Sequence, residues 1–549
     1  MNKLQLLLVS LMLPVYMGHA VSCKPLCKNV DGSLDVTFGN HGKVVTSFGV
    51  NQNCTETDQA RGVVELPCGR IVAAGYSNKN GQNCYSYDFA LAGYTPYGFL
   101  DHTFGTDDSG RVLTNFATVL GFSNPSNDIA NAIAVQKNCN PCDFSCKPEC
   151  ETDCNANCKL VVVGSSGDQE SGSSSFAIAR YNCDGTLDTS FGEDKKGVVR
   201  TQSPIIGWIA QANAVAIQDD GKIVVVGFSR LSKATSYFMI ARYTCDGILD
   251  TTFGCDGTGI VLTGFSDVPL GIQPGYACCL PVSTSDKIEI SSAKAVKIQK
   301  NGKIVVAGYN GNSNNFALAR YNTDGSLDTS FGPNHDGKVI TDFSGNNTSN
   351  DFACALVLLE DCQDCFSCAD STKIVAVGYS SVNDTGFRDP YYDFALAGYT
   401  DSGKLDTNFG PNGNGLVTTS FTDKEGKAKP SYAFAAALEH DCTNACKIVV
   451  AGETDVKQNV LKRQGSGDRS IFALARYNSN GCLDKSFGED KTGKVVTSIG
   501  VDDKDDSARA VAIQKNGAIV AAGYSNLDVN SASGSSFALA RYNQCQPCC

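Results

Sequence analysis

Lys303-Ile-Val-Val-Ala-Gly308, Phe316-Ala-Leu-Ala-Arg-Tyr321 and Leu327-Asp-Thr-Ser-Phe-Gly332 follow one another within one short stretch, and the same three motifs return in the same order along the chain. The Leu-Asp-x-x-Phe-Gly motif begins at Leu34, Leu100, Leu187, Leu249, Leu327, Leu405 and Leu483. The strand-like motif ends at Gly75, Gly164, Gly227, Gly308, Gly378, Gly452 and Gly523, and the aromatic motif starts at Phe89, Phe176, Phe238, Phe316, Phe394, Phe472 and Phe537. Lengths vary only between motifs, as expected when each repeat is one supersecondary unit and insertions fall in its loops.

Working outward from the fourth complete copy, residues 293–299, 303–309, 315–321 and 337–343 read as strands. Each is rich in β-branched, alanine or aromatic residues and is bounded by Gly, Asn or Asp. Asn301-Gly302 is a two-residue hairpin signal. Four antiparallel strands per repeat, with every motif present seven times, predict an all-β, seven-bladed β-propeller. Each first strand opens on alanine (Ala60, Ala130, Ala212, Ala293, Ala353, Ala433, Ala508) and has alanine or Gly62 two residues on. Residues two apart share one face of a strand, so both small side chains are expected at the crowded inner end of each blade. A lone strand at 43–48 precedes the first full unit, and no fourth strand follows Tyr542. Pairing of 43–48 with 537–542 is therefore expected to close the ring.

Across residues 31–543 these motifs, above all 303–308, 316–321 and 327–332, resemble the delta-60-repeat β-propeller family. The resemblance implies a propeller in a secreted or surface bacterial protein and supplies no catalytic residues.

The ends of the chain bear on its destination. Lys3, an apolar run at 4–16 and the small residues Gly18 and Ala20 form the layout of a secretory signal peptide over 1–20. A short leader (21–30), one propeller (31–543) and a Cys-rich tail (544–549) are expected to follow. Ala20-Val-Ser-Cys23 also resembles a lipoprotein cleavage box, with Cys23 as a lipid anchor. The alternative is ordinary cleavage after Ala20. No later stretch is long and apolar enough to read as a transmembrane segment.

With 26 cysteines behind a signal peptide, disulfides in an oxidising compartment are the expected use. Cys139, Cys142, Cys146, Cys150, Cys154 and Cys158 crowd one insert, Cys362, Cys365 and Cys368 a second, and Cys442 and Cys446 a third. All three lie between first and second strands, hence on one face, and local staples are the preferred reading. Zinc suits some of these spacings, but paired Cys-x-x-Cys knuckles are missing and His440 is the only histidine nearby. A net charge of −12 argues against nucleic acid or an anionic membrane as partner.

Four other features have structural readings that outweigh functional ones. Gly332-x4-Gly337-Lys338 and Gly488-x4-Gly493-Lys494 nearly match a phosphate loop, but valine stands where the hydroxyl belongs and strands follow. Asn322-Thr-Asp-Gly-Ser-Leu-Asp328 offers oxygen ligands, yet lacks the glutamate a calcium loop needs and reads as a turn. The recurring arginine (Arg180, Arg242, Arg320, Arg476, Arg541), replaced by Gly93 and Gly398 in two copies, is expected to pair with a repeat aspartate. His41, His102, His335 and His440 are scattered, with no nucleophile elbow, so no catalytic, cofactor or metal residue is assigned.

The leading expectation is a secreted or cell-surface, non-catalytic binding or scaffold module whose partner is an extracellular protein or glycan. The alternative is a hydrolase or lyase for extracellular polysaccharide, its site assembled from loops. The face carrying loops 165–174, 266–292, 422–431 and 453–470, opposite the cysteine inserts, is where a ligand is expected, with Trp208 and Tyr276 as aromatic contacts.

Overall fold

The computed structural model describes residues 30–49, 57–79, 86–137, 158–168, 172–204, 209–232, 235–254, 257–265, 289–311, 314–360, 362, 374–381, 391–440, 446–456, 469–500, 505–526 and 534–544. The signal peptide, Cys23, Trp208 and Tyr276 lie outside them, as do Cys139, Cys142, Cys146, Cys150, Cys154, Cys365, Cys368 and Cys442.

The repeat folds as four antiparallel strands per unit, represented by Asp351–Leu358, Ile374–Ser380, Asp393–Tyr399 and Leu416–Thr419 in that order. The third strand is buried along its whole length and the second everywhere but at the half-buried Tyr379, because a neighbouring sheet covers each face, so they read as nearly continuous apolar runs. The fourth strand is only four residues long, and it pairs with the aromatic motif through Phe394↔Thr419 to Ala397↔Leu416.

The expected seven-bladed propeller, four strands to a blade and closed by pairing of the N-terminal strand with the C-terminal blade, is corrected by the sheets themselves. No sheet closes on itself, and among the described residues there are five four-stranded sheets, one eight-stranded sheet and one two-stranded ribbon. The eight-stranded sheet forms because Thr235–Tyr243 pairs with Ile260–Thr263 only from Phe238 to Ala241. Its first residues keep an open edge, and the lead-in of Glu289–Ile298 pairs there in parallel, Thr235↔Glu289 and Ser236↔Ile290. Lys43–Thr46 pairs antiparallel with Ser535–Tyr542, from Lys43↔Ala540 to Thr46↔Phe537, so both ends of the described chain share one open four-stranded sheet. The coarser fold stands: an all-β chain of β-propeller type.

The core lies between neighbouring sheets. Val224, Val226 and Phe238 of one unit, for example, pack with Ala293, Ile304 and Ala317 of the next. The repeat motifs are the devices that join these units. Phe38, Phe104, Phe191, Phe253, Phe331, Phe409 and Phe487 are all fully buried. Each lies under a turn glycine of the following unit, and a Cβ on Gly325 would come within 2.9 Å of the Phe253 ring. The motif glycine then donates its N–H across the joint, as from Gly254 to the Asp324 carbonyl at 2.8 Å and from Gly332 to Ser402 at 2.9 Å. A second joint uses the tyrosine that ends the aromatic motif. Tyr181 donates to Thr114, Tyr243 to Thr201, Tyr321 to Thr263 and Tyr477 to Thr419 at 2.7–2.8 Å, each reaching the fourth strand of the preceding unit.

The glycine ending the second-strand motif has a steric origin. A Cβ at Gly308 would sit 2.0 Å from the Ser292 carbonyl oxygen, and the equivalent clash recurs at Gly75, Gly164, Gly227, Gly378, Gly452 and Gly523. First and second strands approach this closely because each pair carries a β-bulge, between Ala293 and Ala295 in this unit.

Candidate functional site

That bulge also corrects the expected placement of the alanines. Ala293 pairs with Gly308 and Ala295 with Ala307, consecutive partners, so the two alanines face opposite sides of the sheet. Ala293 packs into the core shared with the preceding unit and Ala295 into the core shared with the next. The residue between them is the extra one, released from the ladder. At this position the units differ: Arg61, Asn131, Asn213, Lys294, Cys354, Phe434 and Arg509.

Two of these residues link neighbouring first strands. Asn131 donates to the Ala212 carbonyl and Asn213 to the Ala293 carbonyl, both at 2.8 Å. The other five converge with the residues that follow the second-strand glycines. Arg61 lies 5.5 Å from the Tyr76 ring centroid, Lys294 5.9 Å from Tyr309 and Arg509 5.7 Å from Tyr524. Arg509 also stacks on Phe434 of the adjoining unit at 3.8 Å and faces Glu453 at 3.6 Å. Aromatic contacts continue from Tyr309 through Phe352, Tyr379 and Tyr432 to Phe434, with centroids 5.0–6.4 Å apart.

Electrostatics tie the cluster together. Burial pushes the Cys354 thiol up to about 11, against the pull of Lys294 and Arg509. The surrounding protein strips water from Lys294 and lowers its ammonium pKa despite Cys354 nearby, and Arg61 lowers it further. Burial likewise raises the Tyr379 hydroxyl well above the usual tyrosine range. At neutral pH Cys354 is therefore a protonated thiol and a poor nucleophile. The cluster lies where first strands begin and second strands end, which is the face away from the first–second hairpins and their cysteine inserts.

A cleft of ≈670 Å³ opens elsewhere, lined by Lys79, Asp88, Asp107, Arg111 and Phe122 among others. Most of the polar groups named there have structural partners: Asn115 donates to Asp88 at 2.8 Å, Asp107 accepts from the Ser109 N–H, and Arg111 donates to the Ser47 carbonyl. The bulge cluster does not share that self-sufficiency, which makes it the stronger candidate.

The other sequence features resolve structurally. Arg180, Arg242, Arg320 and Arg476 each bond through Nε to the aspartate eight residues later at 2.7–2.9 Å and stack on the motif phenylalanine. Lys338 and Lys494 of the phosphate-loop look-alikes lie in short strands and donate to the carbonyls of Gly264 and Ser420. Asp324 accepts from the Ser326 N–H and hydroxyl, closing a turn. Cys158 is disulfide-bonded to Cys183, and Cys362 to Cys446 with Cα atoms 5.4 Å apart, the latter joining two inserts on neighbouring sheets. Among the described residues, no group of His, Cys, Asp and Glu is arranged to hold a metal, and no helix is long and apolar enough to cross a membrane.

Residues 159–191, 218–253 and 299–331 match the family model described as "Domain of unknown function (DUF5122) beta-propeller". No curated protein matches the chain. Among solved structures, a protein of unknown function from Dyadobacter fermentans DSM 18053 is 12% identical, with a TM-score of 0.34 over 91% of this chain and 98% of that one. The α-L-arabinofuranosidase arb93a of Fusarium graminearum is 8% identical, with a TM-score of 0.35 over 91% and 97%. The polysaccharide lyase Uly1 is 10% identical, with a TM-score of 0.37 over 92% and 93%. Likenesses this distant say nothing about ligand or reaction.

Proposed function

We infer that the protein is a secreted or cell-surface, non-catalytic binding module that engages an extracellular protein or glycan through the bulge cluster. One observation carries this reading: the first-strand position released from the ladder differs among otherwise alike units, and five of its seven side chains converge, Arg61, Lys294, Cys354, Phe434 and Arg509. A framework that holds its repeats constant and varies one clustered position is suited to recognition. The protonated Cys354 and the pairing of Glu453 with Arg509 favour binding over catalysis. Export through the segment 1–20, a propeller over 31–543, a Cys-rich tail at 544–549 and delta-60 identity of the repeats complete the proposal. Cys23 remains the lipid-anchor alternative within it.

The test is a screen of immobilised full-length secreted protein against glycans and extracellular proteins. A partner retained by the wild type and lost by Phe434→Ala and Arg509→Ala, with thermal stability held, is the expected result. Turnover of a polysaccharide that Glu453→Gln abolishes would replace this reading with that of a hydrolase or lyase.

A further inference from the structure

Lys294 sits half-buried in the cluster with its ammonium over Tyr309 at 5.9 Å, and no acceptor or counter-ion reaches it among the described residues. Arg61 spends one terminal nitrogen on Gln59 at 2.9 Å and on the Tyr76 hydroxyl at 3.3 Å, while its Nε is buried with no hydrogen-bond partner. The Nε of Arg509 is in the same condition, and Glu453 faces Arg509 at 3.6 Å, beyond hydrogen-bond length. Of these three cations only Arg509 has a carboxylate within 4 Å, Glu453, among the described residues, in a protein of net charge −12. Desolvated donors without acceptors are costly, and native proteins keep few of them. A framework that satisfies the repeated arginines through Nε to aspartate leaves these two guanidinium groups short of an acceptor. The missing partner is an anion with oxygen acceptors.

We propose that Arg61, Lys294 and Arg509 form a receptor for an oxyanion, a carboxylate or sulfate group, which completes their hydrogen bonding on binding. This deepens the binding-module reading and rests on it. The lowered ammonium pKa of Lys294 in the free protein agrees with a site awaiting its counter-charge. The neighbouring rings of Tyr379 and Phe434 are placed to contact whatever carries the anion.

Calorimetric titration of the full-length secreted protein with inorganic sulfate, trigalacturonate and neutral galactotriose tests the proposal. Sulfate or trigalacturonate should bind, more weakly as salt rises, and Lys294→Met should weaken that binding about tenfold or more. Because the substitution removes an unpaired, desolvated charge, ligand-free K294M should melt no lower than wild type. A residue needed only for folding would not give that combination. Arg61→Met is the second variant, expected to weaken binding in the same direction. Sulfate binding as tightly as trigalacturonate identifies a free ion as sufficient, and a strong preference for trigalacturonate identifies an anion presented on a sugar; either supports the receptor. The proposal is overturned if neither anion binds, or if both bind K294M and R61M as tightly as wild type. A ligand that binds in a Phe434-dependent way and is not displaced by either anion would overturn the oxyanion while leaving the binding module intact. If no ligand depends on the cluster at all, both readings fail.

Discussion

Arg70 bonds to Asp101 through Nε at 2.7 Å in one of the two units where a glycine, here Gly93, stands in the place of the repeat arginine. In four other units that aspartate takes its arginine from the third strand and a lysine from the start of the second, as Asp328 does with Arg320 and Lys303. Arg70 occupies the lysine position but reaches the arginine's partners, donating also to the Thr103 hydroxyl and to the Cys183 carbonyl of the next unit. Gly93 leaves the room for it, since a Cβ there would lie 2.4 Å from Cγ of Phe104.

Arg70→Ala should therefore cost roughly 3 kcal/mol in chemical denaturation, because it leaves Asp101 without its ion pair. Arg70→Lys should recover only part, since an ammonium cannot keep all three partners. Adding Gly93→Arg to R70A should not restore stability, given the Phe104 contact.

Gly308→Ala should destabilise by roughly 1–3 kcal/mol or more, because the added methyl meets a backbone carbonyl that can move only by parting the first and second strands. Thermal melting should show the same sign for Gly452→Ala, where the opposing atom is the Tyr432 carbonyl oxygen at 1.9 Å.

Tyr321→Phe should lower stability by about 1 kcal/mol, measured by urea unfolding. The ring remains in place, but the Thr263 hydroxyl on the preceding unit loses its donor.

Removal of the Cys362–Cys446 bridge, which spans 84 residues and ties two sheets together, should cost about 2–4 kcal/mol. Non-reducing peptide mapping should recover the two cysteines in one linked peptide, and Cys362→Ser with Cys446→Ser should melt lower than wild type.

Acid stability should show opposing contributions. Burial alone would raise the Asp188 carboxyl, but Ser190, Lys159 and Arg180 outweigh it and bring the pKa down to about 2; Asp250 is brought to about 2 in a like setting by Thr252, Arg242 and Lys222. Folded pKa values below the unfolded ones mean stability that is present above about pH 4 and lost as pH falls towards 2. Asp188→Asn should flatten that limb. Burial raises Asp128 to about 6, the opposite sign, so its contribution is present below about pH 4 and lost as pH rises through 6. Asp128→Asn should compare better with wild type at pH 7 than at pH 4, by melting temperature.

The sequence alone determined the repeat and its strands. A Phe-Ala-Leu-Ala-Arg-Tyr run buried on both faces, an Asn-Gly hairpin and a Gly-ended strand are local signals, each set by side-chain size and turn geometry over a few residues. The arginine–aspartate pairing was also legible, because both partners recur at fixed spacing within one unit. What tertiary structure decided lies across strands and between units. The Ala-x-Ala (Ala-x-Gly in the first copy) of each first strand reads as plain alternation, yet pairing with the second strand puts a bulge in the first strand there and frees the middle residue. No feature of the first strand by itself announces this, although the glycine that returns opposite it was the available sign. The gathering of Arg61, Lys294, Cys354, Phe434 and Arg509, the substitution of Arg70 for a distant arginine, and the merging of two units into one eight-stranded sheet all depend on which edges and faces meet. Spacing along a chain does not carry that information, because contacts between units are fixed by packing of surfaces whose residues lie far apart in sequence.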